Sequence, residues 1–248
     1  QFVYYGAKIN CDEYLTKFYA DTLAPVPDGF NIDCAFDAMP SEYGFFGKGD
    51  YRAPSALFVR NDGFRASRFI YKSHTVISGV VDLGVMPHVR SGGETLSVIL
   101  KDQLSDMEIT LNYTVFDDSD VLVKNAILTN MGKDAVNVAK AFSFCLELPD
   151  AQFEIMRLHG RWANERIPEL TTVGHGTVRI ESTRGGSSHQ MNPFAALLRE
   201  HCTEQSGECY GFNLLYSGSF AIETEISQYG ALRIQGRIKD FRFEWKLS

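Results

Sequence analysis

The sequence predicts an all-β fold, with two extended antiparallel sheets facing each other and little helix. Three observations carry this expectation. Apolar and polar residues alternate along several segments, turn-forming residues divide those segments roughly every ten positions, and helical periodicity is nearly absent. With 248 residues the chain is long enough for a large core, and it reads as one domain over residues 1–248.

In chain order, residues 10–54 come first as an irregular stretch, with Pro25, Pro27 and Pro40 among aromatics. It reads as a long ordered loop in which Phe30, Phe36, Phe45 and Phe46 require burial. Met107, Ile109, Leu111, Tyr113 and Val115 then alternate with Glu108, Thr110, Asn112 and Thr114. Successive side chains leave a strand on opposite faces, so this is the signature of a half-buried strand. Val136, Val138, Phe142, Phe144, Leu146 and Leu148 repeat it with Lys140 as the one break. Tyr210, Phe212, Leu214 and Tyr216 follow, then Phe220, Ile222 and Ile226, and finally Phe241, Phe243, Trp245 and Leu247. Turn chemistry separates them: Asn61-Asp62-Gly63, Ser91-Gly92-Gly93, Asp117-Asp118-Ser119-Asp120, Asn130-Met131-Gly132 and Ser217-Gly218-Ser219. Only residues 12–19 and 194–200 could each make a turn or two of helix. So many strands fit a large two-sheet sandwich better than a small immunoglobulin-type unit.

Composition excludes several partners. Lys plus Arg number 24 against 31 Asp plus Glu, a formal charge of -7, and no basic cluster of five or more occurs. Nucleic acid is therefore not an expected partner. The longest apolar run, residues 194–198, falls far short of the roughly 20 residues a membrane helix needs. Five scattered cysteines do not make a disulfide scaffold. Cys145 reads as a small core hydrophobe, and Cys202 and Cys209 flank a polar turn across which they could pair. A reducing cytoplasm is the simpler expectation. The chain opens on Gln1 with neither an initiator Met nor a signal-type segment, as expected of a piece of a longer protein.

Familiar catalytic signatures fail. Neither Cys-x-x-Cys nor His-Glu-x-x-His occurs, so no metal or other cofactor is expected. The acidic turn at 117–120 lacks the Gly and distal Glu of a calcium loop. Asn112-Tyr113-Thr114 matches a glycosylation acceptor but sits in mid-strand. Two stretches stand out. One is His159-Gly160-Arg161-Trp162-Ala163-Asn164-Glu165-Arg166; the other is Arg184-Gly185-Gly186-Ser187-Ser188-His189-Gln190-Met191-Asn192-Pro193-Phe194. Each is either a polar network tying loops together or a docking or sugar-binding surface, where Trp stacks on a sugar face.

The second stretch, followed by Ala195-Ala196-Leu197, resembles a signature of family 36 glycoside hydrolases, the bacterial and fungal α-galactosidases. Tyr4-Tyr5-Gly6, Gly47-Lys48-Gly49-Asp50-Tyr51-Arg52-Ala53-Pro54, Tyr71-Lys72-Ser73-His74, residues 160–166 and residues 210–220 resemble further family segments in the same order. The resemblance implies a galactose-mutarotase-like β-supersandwich, preceding a catalytic (β/α)8 barrel expected after residue 248. In the family that barrel carries two aspartates for retaining hydrolysis of galactosides, so no residue of this chain is expected to be catalytic. The barrel of the same polypeptide, a galactoside substrate and a homo-oligomer are the partners implied. The chain departs from the pattern in residues 11–40, where Lys17, Asp21 and Asp28 match no family motif, and in Pro40-Ser41-Glu42-Tyr43-Gly44.

The candidate substrate-binding or interface residues are Asp50, Arg52, Trp162, Arg184 and His189. Asp50 and Arg52 are expected at an edge facing the barrel or a second subunit; the alternative is an internal ion pair. Residues 184–194 are expected to be ordered and hydrogen-bonded. Two other functions compete: a free-standing carbohydrate-binding module using Trp162, and a mutarotase recruiting His159, Glu165 and His189 for acid–base ring opening.

Overall fold

The computed structural model describes residues 40–47, 50–186, 189–239 and 244–248, and within them fifteen strands form four antiparallel sheets. The first sheet is a meander of β2 (Phe69–Ser78), β3 (Glu94–Asp102), β4 (Met107–Phe116) and β5 (Ser119–Asn130). The second has β6 (Val136–Ala141) between β1 (Ala56–Val59) and β15 (Trp245–Leu247). In the third the order is β10 (Thr177–Ser182), β13 (Phe220–Ile226), β14 (Leu232–Ile238) and β7 (Phe144–Leu148). The fourth runs β12 (Cys209–Asn213), β11 (Met191–Leu198), β8 (Glu154–Arg161) and β9 (Asn164–Thr172). No helix occurs among the described residues, hence none long and apolar enough to cross a membrane.

Two apolar cores follow from this pairing. The first and second sheets enclose Phe58, Met107, Ile109, Leu111, Val136 and Val138. The third and fourth enclose Ile155, Ile180, Leu197, Phe220, Ile222 and Ile234. Residues 142–143 carry the chain from β6 into β7 and so from one core to the other. On β7 the alternation is divided between them: Cys145 enters the first core, while Phe144, Leu146 and Leu148 pack on the second. The expected single strand with a break at Lys140 is therefore two strands in two sheets.

Three expectations require correction. Residues 194–200 are not helical: Met191–Leu198 is an interior strand paired with both β8 and β12. Its run Ala195, Ala196, Leu197 is buried throughout, and a short apolar run buried on both faces has no period to distinguish strand from helix. Phe46 is 50% exposed, because only Phe45 of the adjacent pair turns inward, stacking on Phe69 at 4.3 Å. Trp245 is 65% exposed; β15 is a three-residue edge strand, and only Leu247 reaches the first core. Phe30, Phe36, residues 12–19, Lys17, Asp21, Asp28, Phe241 and Phe243 lie outside the described residues.

Turns fall where the sequence marks them. Gly63, Gly92 and Gly93 have φ of 82°, 89° and 73°, in the region where an L side chain is strained. Asn112 is buried and donates to Asn125 Oδ1 at 2.7 Å, so it is no accessible glycosylation site.

Candidate functional site

Alternation along β13 and β14 gives the third sheet two unlike faces. Phe220, Ile222, Leu232 and Ile234 face the apolar core. Glu223, Arg233, Gln235 and Arg237 alternate with them and are also buried, so both faces are shielded from water. Residues 50–55 close part of this second face. Arg52 sends Nε to Asp50 Oδ1 at 2.8 Å and Nη1 to Glu147 Oε2 at 2.9 Å. Arg233, only 1% exposed, sends Nε to Glu147 Oε1 at 2.7 Å, Nη2 to Asp50 Oδ2 at 3.1 Å and Nη1 to the Ala53 carbonyl at 2.9 Å. Two guanidinium groups thus bridge two carboxylates, as charges removed from water require. Ser55 Oγ donates to Gln235 Oε1 at 2.6 Å, and Ala53 N–H donates to Glu225 Oε2 at 2.8 Å. Gly44 packs against the network: a Cβ there would lie 2.9 Å from Arg233 Nη1 and would displace the guanidinium.

The electrostatics follow from the geometry. Burial alone would push the Asp50 carboxyl up; hydrogen bonds from Arg52 and the charges of Arg233 and Arg52 outweigh it and hold the group below its usual range. Glu147 accepts on both oxygens, since Ser41 N–H also reaches Oε2 at 3.1 Å. Asp50 is held as a carboxylate and both oxygens of Glu147 are taken by donors, so the arrangement suits a clasp rather than acid catalysis. Asp50 and Arg52 form an internal ion pair. Arg52 and Glu147 nevertheless border a cleft of about 1980 Å³ whose walls include β5, residues 82–89 and β12. Val115, Val121 and Tyr229 line it as exposed apolar side chains.

Of the remaining candidates, Trp162 and His189 come together at one end of the fourth sheet, while Arg184 follows β10 beside residues 217–219. Trp162 is 83% exposed at the tip of the β8–β9 hairpin. Ala163 and Arg166 hold φ of 58° and 59° there, and Glu165 Oε1 accepts the Ala163 N–H at 2.8 Å. His189 and Arg184 are exposed in the neighbouring loop. Gly160 joins hairpin to loop: its N–H donates to the Gln190 carbonyl, and a Cβ there would meet the Asn164 carbonyl oxygen at 2.4 Å. Gly185 N–H donates to Ser219 Oγ and Asn192 Nδ2 to the Leu158 carbonyl, so the described part of residues 184–194 is hydrogen-bonded. Ser187 and Ser188 lie outside the described residues.

Among the described residues, no acid–base pair for ring opening is assembled. The carboxylate nearest His159 is Glu169, at 3.7 Å, and Arg157 already binds it in a bidentate fork at 2.9 and 2.7 Å. That fork holds the Glu169 carboxyl below its usual range. Glu165 is spent on the hairpin backbone, and no group of three or more His, Cys, Asp or Glu among the described residues could hold a metal. Sequence reasoning missed Glu147, Arg233 and Gln235. Their place in the polar half of an alternating strand reads as solvent-facing, and the overlying residues 41–44 and 50–55 help make it interior.

The molecule was compared with known proteins. Residues 1–248 match the family model described as the glycosyl hydrolase family 36 N-terminal domain. Alpha-galactosidase 1 of Pediococcus pentosaceus is 39% identical over 216 residues, 86% of this chain and 30% of that protein. The crystal structure of an alpha-galactosidase from Lactobacillus brevis superposes with a TM-score of 0.89 at 31% identity, covering 99% of this chain and 34% of its own. That of the alpha-galactosidase AgaA from Geobacillus stearothermophilus gives 0.83 at 34% identity, over 86% of this chain and 30% of its own. The chain thus spans about a third of the length of the relatives it matches.

Proposed function

Because the chain belongs to the family of glycosyl hydrolase family 36 N-terminal domains, we propose that it is the non-catalytic β-supersandwich of an α-galactosidase. Its parent would hydrolyse terminal α-galactosyl residues with retention, on a (β/α)8 barrel that follows residue 248. The role of this domain is to support that barrel and to contribute to a homo-oligomer. The observation that carries the reading is coverage: residues 1–248 match one family domain, while the relatives are about three times as long. The chemistry of the described carboxylates supports it. A retaining glycosidase needs a protonated acid and a nucleophile about 5–5.5 Å apart beside a sugar pocket. Glu147, which lines the cleft, is locked with Asp50 between Arg52 and Arg233, and the other two carboxylates of the lining, Asp82 and Asp120, lie on surface segments.

The test removes residues 1–248 from the full-length protein. The truncated form is expected to lose soluble yield, thermal stability and its oligomeric state. Unchanged melting, assembly and galactoside turnover would overturn the reading. One observation favours a second function, sugar binding: Trp162 projects from its hairpin with its ring open to solvent. Calorimetric titration of the chain with galactose, repeated on Trp162→Ala, separates the two; heat lost in the variant would support the module.

A further inference from the structure

Cys209 opens β12 opposite Leu198, and Cys202 lies beyond the last rung of the β11–β12 hairpin, where Arg199 N–H donates to the Glu208 carbonyl at 3.1 Å. Past that rung the chain bends sharply back. Cys202 N–H donates to the Arg199 carbonyl at 3.0 Å, with His201 held at φ 65°. Thr203 N–H donates to the Ser206 carbonyl at 2.8 Å, and Gly207 takes φ 115° on the return. Gly207 is required for more than its φ. A Cβ there would lie 2.7 Å from Cys202 Cα and 3.1 Å from Cys202 Sγ, so Cys202 rests directly on the bare returning backbone. Cys202 Sγ, which donates to the Thr203 carbonyl at 3.8 Å, thereby lies over the returning strand two residues before Cys209, and the two thiols are neighbours. Both are free; Cys209 is exposed and Cys202 half-buried, whereas Cys145 is fully buried. A non-glycine residue in the left-handed region is uncommon, and here His201 turns the chain so that Cys202 falls back on the returning strand.

We propose that Cys202 and Cys209 are a modification site: a redox-active dithiol that a small-molecule disulfide such as oxidised glutathione converts to an intramolecular disulfide. Two exchanges accomplish the step. One protein thiolate attacks a glutathione sulfur, breaking the glutathione S–S bond and releasing one glutathione thiolate. The second protein thiolate then attacks the mixed disulfide, forming the Cys202–Cys209 bond and releasing the second glutathione. The protein loses two electrons, the reagent gains them, and the two thiol protons end on the two glutathione molecules. The bond would close residues 203–208 into a loop at the rim of the cleft, which Cys209 lines.

The sequence supplies its own mapping tool, since Glu204 and Glu208 both fall between the two cysteines. The protein is incubated with oxidised glutathione, blocked with N-ethylmaleimide and cleaved after glutamate. The expected product is a Cys202 fragment joined to a Cys209 fragment, two hydrogens lighter than their sum and separated by reductant. Two alkylated cysteines, or a glutathione adduct persisting on either, would overturn the proposal. Cys202→Ser and Cys209→Ser check access: each is expected to arrest at a glutathione adduct on the cysteine that remains. Failure of both to form an adduct would also overturn it.

Discussion

Residues 50–55 and residues 159–166 have similar chemistry in the sequence and opposite fates in the fold. Both carry arginine, an acid and an aromatic residue close together. In the first segment Asp50 and Arg52 face a second sheet of charges and are sealed between Glu147 and Arg233. In the second, Arg161, Trp162, Asn164 and Arg166 have no layer above them and stand in solvent. Local composition marks both as polar. Whether a polar segment becomes interior is decided by what lies opposite, and that partner is more than ninety residues away in sequence for Arg52 and Glu147.

Arginine deletion should separate the two regions most widely. Arg233→Ala leaves Glu147 and Asp50 buried without their shared cation, and a loss of about 3–5 kcal/mol is expected from urea unfolding. Arg161→Ala on the open hairpin should stay within about 0.5 kcal/mol of the parent chain. Comparable losses for both would break the contrast.

Acid should act on the first region through Asp50. The folded Asp50 group titrates below its usual range, so its contribution is complete above its unfolded pKa of about 4 and is lost as pH falls through the folded value. Urea midpoints between neutral and strongly acidic pH should therefore fall less steeply for Asp50→Asn than for the unaltered chain. Parallel curves would show that Asp50 is not held by its guanidinium partners.

Smaller effects are expected at the hairpin. Gly160→Ala drives a methyl group against the Asn164 carbonyl and Glu165 Cα, and overpacking of this kind costs about 1–3 kcal/mol. The melting temperature should fall, with the hairpin rather than the ionic clasp losing hydrogen-exchange protection. Trp162→Ala, at the far end of the scale, removes a ring that is 83% exposed and should leave the melting temperature nearly unchanged.

Legibility followed the same division. Strand alternation gave the all-β class because Met107, Ile109 and Leu111 obey a period set by the backbone alone. The strand at Met191–Leu198 was illegible, since burial on both faces erases the period on which recognition depends. Asp50 and Arg52 drew attention as part of a motif, and Trp162 as an isolated aromatic among charges. Arg233 and Glu147 gave no signal, because a buried ionic face and a wet one have the same alternation until the covering segment is placed.

Turnover of a nitrophenyl α-galactoside by purified residues 1–248 tests the central claim most directly. No release of nitrophenol is expected from the chain alone, and release is expected from the proposed full-length parent. Release that survives repurification and disappears in Asp50→Asn or Glu147→Gln would contradict it, by showing that a carboxylate of this domain does the chemistry.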